Sequence, residues 1–173
     1  MSDPFPSPDR NAALQQHLKE MFNFARGGDA ATLARLLALG VPANLRNEKG
    51  DTLLMLACYH GHLDAARVLL EHGADPEIYN DNGQLPLAAA AFKDYRDIAG
   101  LLLAHGARVD GAAPDGRTAL MMAAMFNRTA IVDLMLAHGA DPHARNAKGL
   151  NARELAASMG AADTVAQLDA LGA

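Results

Sequence analysis

Histidine and cysteine are the side chains of this sequence with the widest chemical range, and the chain holds seven histidines and one cysteine. Three of the histidines, His72, His105 and His138, are evenly spaced along the chain. Neighbouring packed helices lie about 8–10 Å apart, whereas zinc ligands lie about 2 Å from their ion. Three histidines on successive helices of a stack therefore cannot bind the same zinc ion. We therefore interpret these histidines as residues near helix C-termini, where the partial negative charge of the helix end favours them.

A second pair of histidines, His60 and His62, flanks Gly61 and follows Cys58 closely. A two-histidine metal site is one interpretation of this segment. The spacing that separates His72, His105 and His138 also separates Ala25, Cys58 and Ala91. Cys58 therefore occupies a position that holds alanine in the units before and after it. This pattern favours a small buried slot for the thiol instead. We expect neither a metal ion nor a cofactor.

Catalytic motifs are missing from the sequence. None of the serines, Ser2, Ser7 and Ser158, lies in a nucleophile elbow, and no glycine-rich phosphate loop occurs. Carboxylates such as Asp163 and Asp169 are typical of solvated helix faces. We therefore expect that the protein is not an enzyme.

Composition favours a folded domain. Half of the 173 residues are hydrophobic and 20% are charged. The formal charge is −5 and the basic residues are scattered, which disfavours a nucleic-acid partner. No apolar stretch approaches the roughly 20 residues that span a bilayer, so we expect no membrane association. The first residues lack the pattern of a secretory signal and one cysteine permits no internal disulfide, so we expect a cytoplasmic protein.

Glycine marks the organisation of the chain, because it recurs in two series with one constant step. The first series is Gly40, Gly73, Gly106, Gly139 and Gly172, and the second is Gly50, Gly83, Gly116 and Gly149. A constant step of this length is typical of one supersecondary unit that is repeated and stacked, each copy touching its neighbours.

The residues around these glycines repeat as well. Leu69–Pro76 reads LLEHGADP and Leu136–Pro142 reads LAHGADP, while the second glycine series opens the phrases GDTLL, GQLPL and GRTAL. This pattern resembles the ankyrin repeat, a β-turn followed by two antiparallel helices. The resemblance covers roughly residues 14–173 and implies an all-α solenoid that holds a partner with its turn fingers and inner helices.

A weaker resemblance concerns the kind of ankyrin repeat protein. The segments 54–62 and 90–94 are similar to those of short stand-alone ankyrin repeat proteins of bacteria. This implies a role as an adaptor, an inhibitor or an enzyme-accessory protein.

We divide the chain into a flexible lead over residues 1–8 and a single repeat domain over residues 9–173, whose first helix runs from a capping Asp9 to about Arg26. The units are an N-terminal cap over 9–46, repeats over 47–79, 80–112 and 113–145, and a C-terminal cap over 146–173. In the last unit Arg153 and Asp169 replace core leucines, and no further repeat would cover them.

Two further patterns predict local structure. One position between the helices of each unit favours a left-handed backbone, and it holds Gly28, Gly61, Asp94, Asn127 and Gly160. The family's usual Thr-Pro-Leu-His helix start is incomplete, since Met55 and Met121 stand at the histidine position. We expect a thin hydrogen-bond network there, with methionine packing in its place.

The ends of the first helices carry aromatic or methionine residues in three consecutive repeats. These positions hold Tyr59, His60, Phe92, Lys93, Met125 and Phe126. We predict that they form a binding edge of the concave face, because exposed apolar stripes mark interaction sites. The alternative is that each ring folds back over its own repeat.

The resemblance to ankyrin repeats also implies contacts at the turn tips. The partner-binding candidates there are Tyr79, Asp81, Asn82, Arg117 and Arg145. Ordinary turn chemistry, with Asn or Asp before Gly, is the alternative explanation of several of them.

These patterns together predict a rigid module that binds one protein partner of unknown identity. We expect a monomer. The alternative is a structural or self-associating protein that uses the same apolar edge to form a homodimer.

Overall fold

The computed structural model describes the backbone of residues 8–172 and the side chains of residues 16 and 18–172. Ten α-helices form in this range. They are α1 Pro8–Gly27, α2 Ala30–Ala38, α3 Leu53–His60, α4 Leu63–Glu71, α5 Pro86–Lys93, α6 Arg96–Ala104, α7 Ala119–Met125, α8 Thr129–Ala137, α9 Ala152–Met159 and α10 Ala162–Asp169.

The lead predicted for residues 1–8 lies outside the described residues except for Pro8. Helix α1 begins at Pro8, one residue earlier than the sequence suggested. Proline fits the first turn of a helix because its missing N–H would have no partner there. Asp9 lies in the first turn of α1, and its side chain, which was predicted to cap the helix, lies outside the described residues.

The helices stack in two layers. In one layer each odd-numbered helix packs against the next odd-numbered helix, from α1 to α9. In the other layer each even-numbered helix packs against the next even-numbered helix, from α2 to α10. Within residues 8–172, β-structure is limited to two isolated bridges, between Arg46 and Thr52 and between Ala112 and Thr118. The all-α repeat solenoid that the resemblance to ankyrin repeats implied is confirmed.

Small side chains allow the odd-numbered helices to pack closely. The fully buried ones are Ala25, Ala57, Cys58, Ala90, Ala91, Ala123, Ala124 and Ala156. Burial raises the pKa of the Cys58 thiol well above its usual range, because the thiolate would lose its hydration. Cys58 is therefore a neutral packing residue, as the alanines at the equivalent positions of the flanking repeats, Ala25 and Ala91, predicted.

Helix starts differ between repeats. The hydroxyl oxygens of Thr52 and Thr118 accept hydrogen bonds from the backbone N–H of Met55 at 3.0 Å and of Met121 at 3.3 Å. Both methionines are buried, which confirms the expected methionine packing. In the last repeat Asn151 and Glu154 form a reciprocal capping box, so the network is richer there than predicted.

The predicted left-handed positions are confirmed. Asp94 has φ 65° and Asn127 has φ 57°, and the glycines at this position also have positive φ. Asn127 has a second role, since its Oδ1 atom accepts a hydrogen bond from the backbone N–H of Thr164 at 3.1 Å in the next unit. The residue thus serves the turn in one repeat and the helix start in another.

The two charges of the C-terminal unit pair with each other. Nε of Arg153 donates to Oδ1 of Asp169 at 2.7 Å. This hydrogen bond holds the pKa of Asp169 below its usual value. The pair lies at the open end of the stack, where a leucine would expose apolar surface to water.

Candidate functional site

The stack has an open groove in its N-terminal half, with a volume of about 850 Å³. Helix α1 contributes Phe22 and Arg26 to the lining, and α3 contributes Met55 and Tyr59. The opposite wall consists of the first two β-turns, residues 46–51 and 80–84. The volume lies within the range of about 300–1,000 Å³ that is typical of ligand pockets.

The candidate aromatic residues form a continuous row along the ends of α3, α5 and α7. We call Tyr59, His60, Phe92, Lys93, Met125 and Phe126 the tip strip. The Phe92 and Phe126 rings meet edge to face, with 4.6 Å between their centroids. Nζ of Lys93 lies 4.3 Å from the centroid of the Tyr59 ring and 5.5 Å from that of Phe92. The lysine thus links the aromatic side chains of two repeats through cation–π contacts.

The rings of the tip strip are less exposed than the sequence suggested. Tyr59, Phe92 and Phe126 are half-buried, and Met125 packs against the core. Phe92 touches Phe126 of the next repeat, and Tyr59 touches Lys93 of the next repeat. The rings are thus neither fully exposed nor fully buried, and their use as a binding edge stays a prediction. The strip joins the groove at Tyr59 and His60, which line it.

His60 is the exposed member of the strip with a perturbed proton affinity. Its pKa is lowered, first by partial burial and then by the positive charges of His62, Arg26 and Lys93 nearby. The His60 ring lies 5.4 Å from the Tyr59 ring and 6.4 Å from the His62 ring, measured between centroids. The end of α3 is therefore surrounded by cationic side chains.

We expect His60 to reduce stability as the pH falls below about 6.5, because the unfolded chain binds this proton more readily than the folded protein does. The His60→Gln variant lacks this contribution. Its melting temperature should fall less than that of the wild type between pH 7 and pH 5, as measured by circular dichroism. His143→Gln, which removes an exposed histidine far from the strip in sequence, is the control. Equal falls for His60→Gln and the wild type would contradict the prediction.

The fingers are the four turns at residues 47–50, 80–83, 113–116 and 146–149. In three of them an asparagine side chain shapes the turn, because its Oδ1 atom accepts two backbone N–H bonds. Asn47, Asn80 and Asn146 have this role. Asn80 is buried and also donates to Oδ1 of Asp51 at 2.8 Å, which ties two fingers together. The sequence analysis missed these asparagines, although Asn47 and Asn80 visibly lie one repeat apart.

Most of the candidate charges at the fingers pair within the protein. Arg46 donates to Asp81 at 3.3 Å, Arg117 donates to Asp115 at 2.6 Å, and Arg145 donates to Glu154 at 3.1 Å. All these side chains are partly exposed, so the pairs are weak and can exchange with a ligand. Tyr79 and Asn82 are exposed and present their side chains beside these pairs.

The fingers are joined in two pairs. The backbone N–H of Asp81 donates to the carbonyl of Lys49 at 3.1 Å, and that of Ala147 donates to the carbonyl of Asp115 at 2.9 Å. Pro114 occupies the equivalent position of the third finger and has no N–H to donate. The second and third fingers therefore lack this bond and instead pack through the Pro114 ring, whose Cδ atom would lie 2.8 Å from a Cβ added at Gly83.

Four of the histidines outside the strip have a backbone carbonyl oxygen as partner. Nδ1 of His72, His105 and His138 lies 2.8–3.0 Å from the carbonyl oxygen four residues earlier, at the end of each outer helix. Nε2 of His62 lies 2.8 Å from the carbonyl oxygen of Arg26. Among the described residues no three histidine, cysteine or carboxylate side chains converge as metal ligands would.

The carboxylates considered for catalysis also have structural partners. Asp163 accepts from the Asn127 side chain at 2.7 Å, and Asp169 is paired with Arg153. In the part of the chain that the structure describes, no helix has the length and apolar character needed to cross a membrane.

Comparison with known proteins places these features in a family. A model of ankyrin repeats in three copies matches residues 21–112, and a model of the single ankyrin repeat matches residues 115–147. Together these matches cover most of the first four units of the stack. Ankyrin repeats are generally protein–protein interaction modules, and the family is typically non-enzymatic.

Relatives from several kingdoms share parts of the chain. An ankyrin repeat protein of Pseudomonas aeruginosa is 50% identical over 63 residues, which cover 36% of this chain and 37% of that protein. The human ankyrin repeat domain-containing protein 63 is 51% identical over 41 residues, or 24% of this chain and 11% of that protein. The acyl-CoA-binding domain-containing protein 2 of Arabidopsis thaliana is 33% identical over 67 residues, or 39% of this chain and 19% of that protein.

Each of these matches spans well under half of the relative's own length. What the matched segments share is therefore the repeat itself. The family models nevertheless match more than half of the chain, and the repeats they match are the same stacked helix pairs and fingers that the structure contains. The chain belongs to the ankyrin repeat family.

Proposed function

We propose that this protein binds a protein partner through the tip strip, the groove and the fingers, as an adaptor, an inhibitor or an enzyme-accessory protein. The observation that carries the proposal is the continuity between the half-buried rings of the tip strip and the open groove. Aromatic residues and methionine are enriched at the centres of protein interfaces. A strip of this kind therefore supports the binding of a macromolecule.

The burial of the rings supports a preformed surface. Tyr59, Phe92 and Phe126 are held by their contacts with Lys93 and with each other, so they lose little side-chain entropy when a partner covers them. The fingers are likewise held by backbone and asparagine hydrogen bonds. Rigid docking keeps more of the contact energy as affinity.

The candidate residues divide into two roles under this proposal. The anchors are Tyr59, Phe92, Met125 and Phe126, because buried aromatic and apolar anchors dominate most interfaces. The polar candidates set orientation and partner choice, since their exposed charges contribute more to association rate and specificity than to affinity. They are His60, Tyr79, Asp81, Asn82, Lys93, Arg117 and Arg145.

We expect the double variant Tyr59→Ala with Phe126→Ala to lose at least about tenfold in affinity for its partner, because both rings are proposed anchors. The partner is first captured from host lysate on the immobilised wild type and identified by mass spectrometry. Its purified form is then titrated against each variant by calorimetry. Because the rings are half-buried, the titration is done well below the melting transition, with circular dichroism to verify folding.

The matched control is Leu39→Ala with Leu171→Ala, which removes two exposed apolar side chains outside the strip. This control should keep wild-type affinity. Equal losses in both double variants, or none in the strip variant, would contradict the proposed surface. A concentration-dependent dimer that Phe92→Asp disrupts, seen by light scattering, would favour self-association instead.

A further inference from the structure

We propose that the groove and the adjoining end of the tip strip bind an extended acidic peptide segment of the partner, with an apolar side chain as its anchor. This inference rests on the proposed function, since it specifies the partner chemistry of the same surface. It is carried by the arrangement of cations around the apolar lining of the groove.

The charge balance of the groove is opposite to that of the whole chain. The chain has 20 acidic and 15 Lys or Arg residues. Four Lys or Arg side chains line the groove, namely Lys19, Arg26, Arg46 and Lys49, against the two carboxylates of Glu48 and Asp51. A cleft lined mainly by one sign of charge attracts the opposite sign and disfavours ligands of its own sign.

Glu48 and Asp51 form no salt bridge with these cations, although Arg46 pairs with Asp81 beside the groove at 3.3 Å. Asp51 accepts hydrogen bonds from the side-chain amides of Asn80 at 2.8 Å and Asn47 at 3.3 Å. Arg26 donates to the neutral amide oxygen of Asn23 at 2.8 Å. Neither Arg26 nor Lys93 forms a salt bridge with a residue that the structure describes. Their charges remain available to a ligand.

Cations also meet where the groove joins the strip. Arg26 and Lys93 both lie close enough to lower the pKa of His60, so two permanent positive charges lie near the end of α3. Lys93 is fixed over the Tyr59 ring rather than free in solvent. An acidic side chain placed here would meet the two cationic groups of Arg26 and Lys93.

The apolar component of the site favours a peptide over a simple anion. Leu18, Phe22 and Met55 line the groove beside the cations, and Tyr59 continues this apolar surface to the strip. A segment that combines carboxylates with one large apolar side chain would satisfy both components. A nucleic acid is disfavoured because its binding depends on many basic side chains along the phosphate backbone, whereas four Lys or Arg side chains line this groove.

The probes for this proposal are two synthetic peptides of equal length, one with Glu and Asp around a central Phe-Leu pair and one with Lys and Arg around the same pair. Binding to the full chain is followed by fluorescence anisotropy and by the amide NMR shifts of Arg26, Tyr59 and Lys93. The acidic peptide should bind at least about tenfold more tightly and shift these signals. Its affinity should fall as the salt concentration rises from about 50 to about 300 mM, because the charges of the site are exposed and salt screens exposed charges.

The variant Arg26→Gln with Lys93→Gln removes two positive charges from the site. We expect it to weaken acidic-peptide binding by about twofold to thirtyfold, the range for two exposed ion pairs. The control variant Arg35→Gln with Arg67→Gln removes two positive charges from exposed positions of α2 and α4. Its net charge is therefore equal to that of the first variant. This control should bind like the wild type.

Three results would overturn the proposal. They are equal or tighter binding of the basic peptide, equal or tighter binding of a thymidine octanucleotide, and equal losses in the two charge variants. The affinity of the captured partner for each variant distinguishes a failure of the acidic-peptide proposal from a failure of the proposed function. If its affinity depends on Tyr59 and Phe126 but not on Arg26 and Lys93, the surface is correct and the acidic chemistry is wrong.

Discussion

Replacement of Leu87 by alanine is expected to lower the free energy of unfolding by about 2–5 kcal/mol. Leu87 lies in the first turn of α5, in the middle of the stack, and is only 3% exposed. It belongs to the continuous core cluster that runs from the first unit to the last. Truncation removes buried methyl groups and leaves a cavity that the two flanking repeats cannot fill without moving.

Urea unfolding followed by circular dichroism measures this effect. Leu39→Ala is the matched control, because it is the same substitution at a side chain that is 78% exposed. The control should change stability by less than about 0.5 kcal/mol. A cost below about 1 kcal/mol for Leu87→Ala would contradict the packing described for the centre of the stack.

Replacement of Gly116 by alanine is expected to cost about 2–5 kcal/mol. Gly116 ends the third finger with φ +78°, a conformation that costs about 1–2 kcal/mol for a residue with a Cβ atom. An added Cβ would also lie 3.0 Å from the backbone of Asn146 and Ala147 in the fourth finger. Backbone cannot rotate away as a side chain can, so the two fingers must separate at a further cost of about 1–3 kcal/mol.

Gly149 is an internal control for this prediction. It occupies the same position of the fourth finger with φ +75°, and an added Cβ would meet nothing within 4 Å. Gly149→Ala should therefore show only the conformational cost of about 1–2 kcal/mol. The difference between the two variants, measured by urea unfolding, reports the contact between fingers. Equal costs would contradict the close approach of the third and fourth fingers.

Most of the fold was predictable from the sequence because each repeat carries the same local signals. The regular glycine spacing set the repeat length, and the left-handed positions at Asp94 and Asn127 followed from residue types that tolerate positive φ. Ala25 and Ala91, one period before and after Cys58, predicted the burial of this cysteine, since residues one period apart share an environment. Local conformation and burial repeat with the sequence, so a single chain is enough to infer them.

The candidate surface was predictable only in outline. The ends of the first helices were identified from Tyr59, Phe92 and Phe126, but their half-burial and mutual contact were not. The cations around His60 come from α1 and α5 and from the start of α4, and nothing in their sequence spacing marks them as a group. The asparagines that shape the fingers were missed because their side chains act on backbone that only the turn geometry brings within reach.

What the sequence by itself determined is the repeat, its two-helix unit and the identity of its core columns, because these depend on interactions that recur in every period. The tertiary structure alone decided how non-equivalent residues meet. Examples are the pairing of Arg153 with Asp169 at the open end and the cation–π contact of Lys93 with Tyr59. Such contacts depend on the directions of individual side chains across a repeat boundary, and periodicity specifies which units are neighbours without specifying those directions.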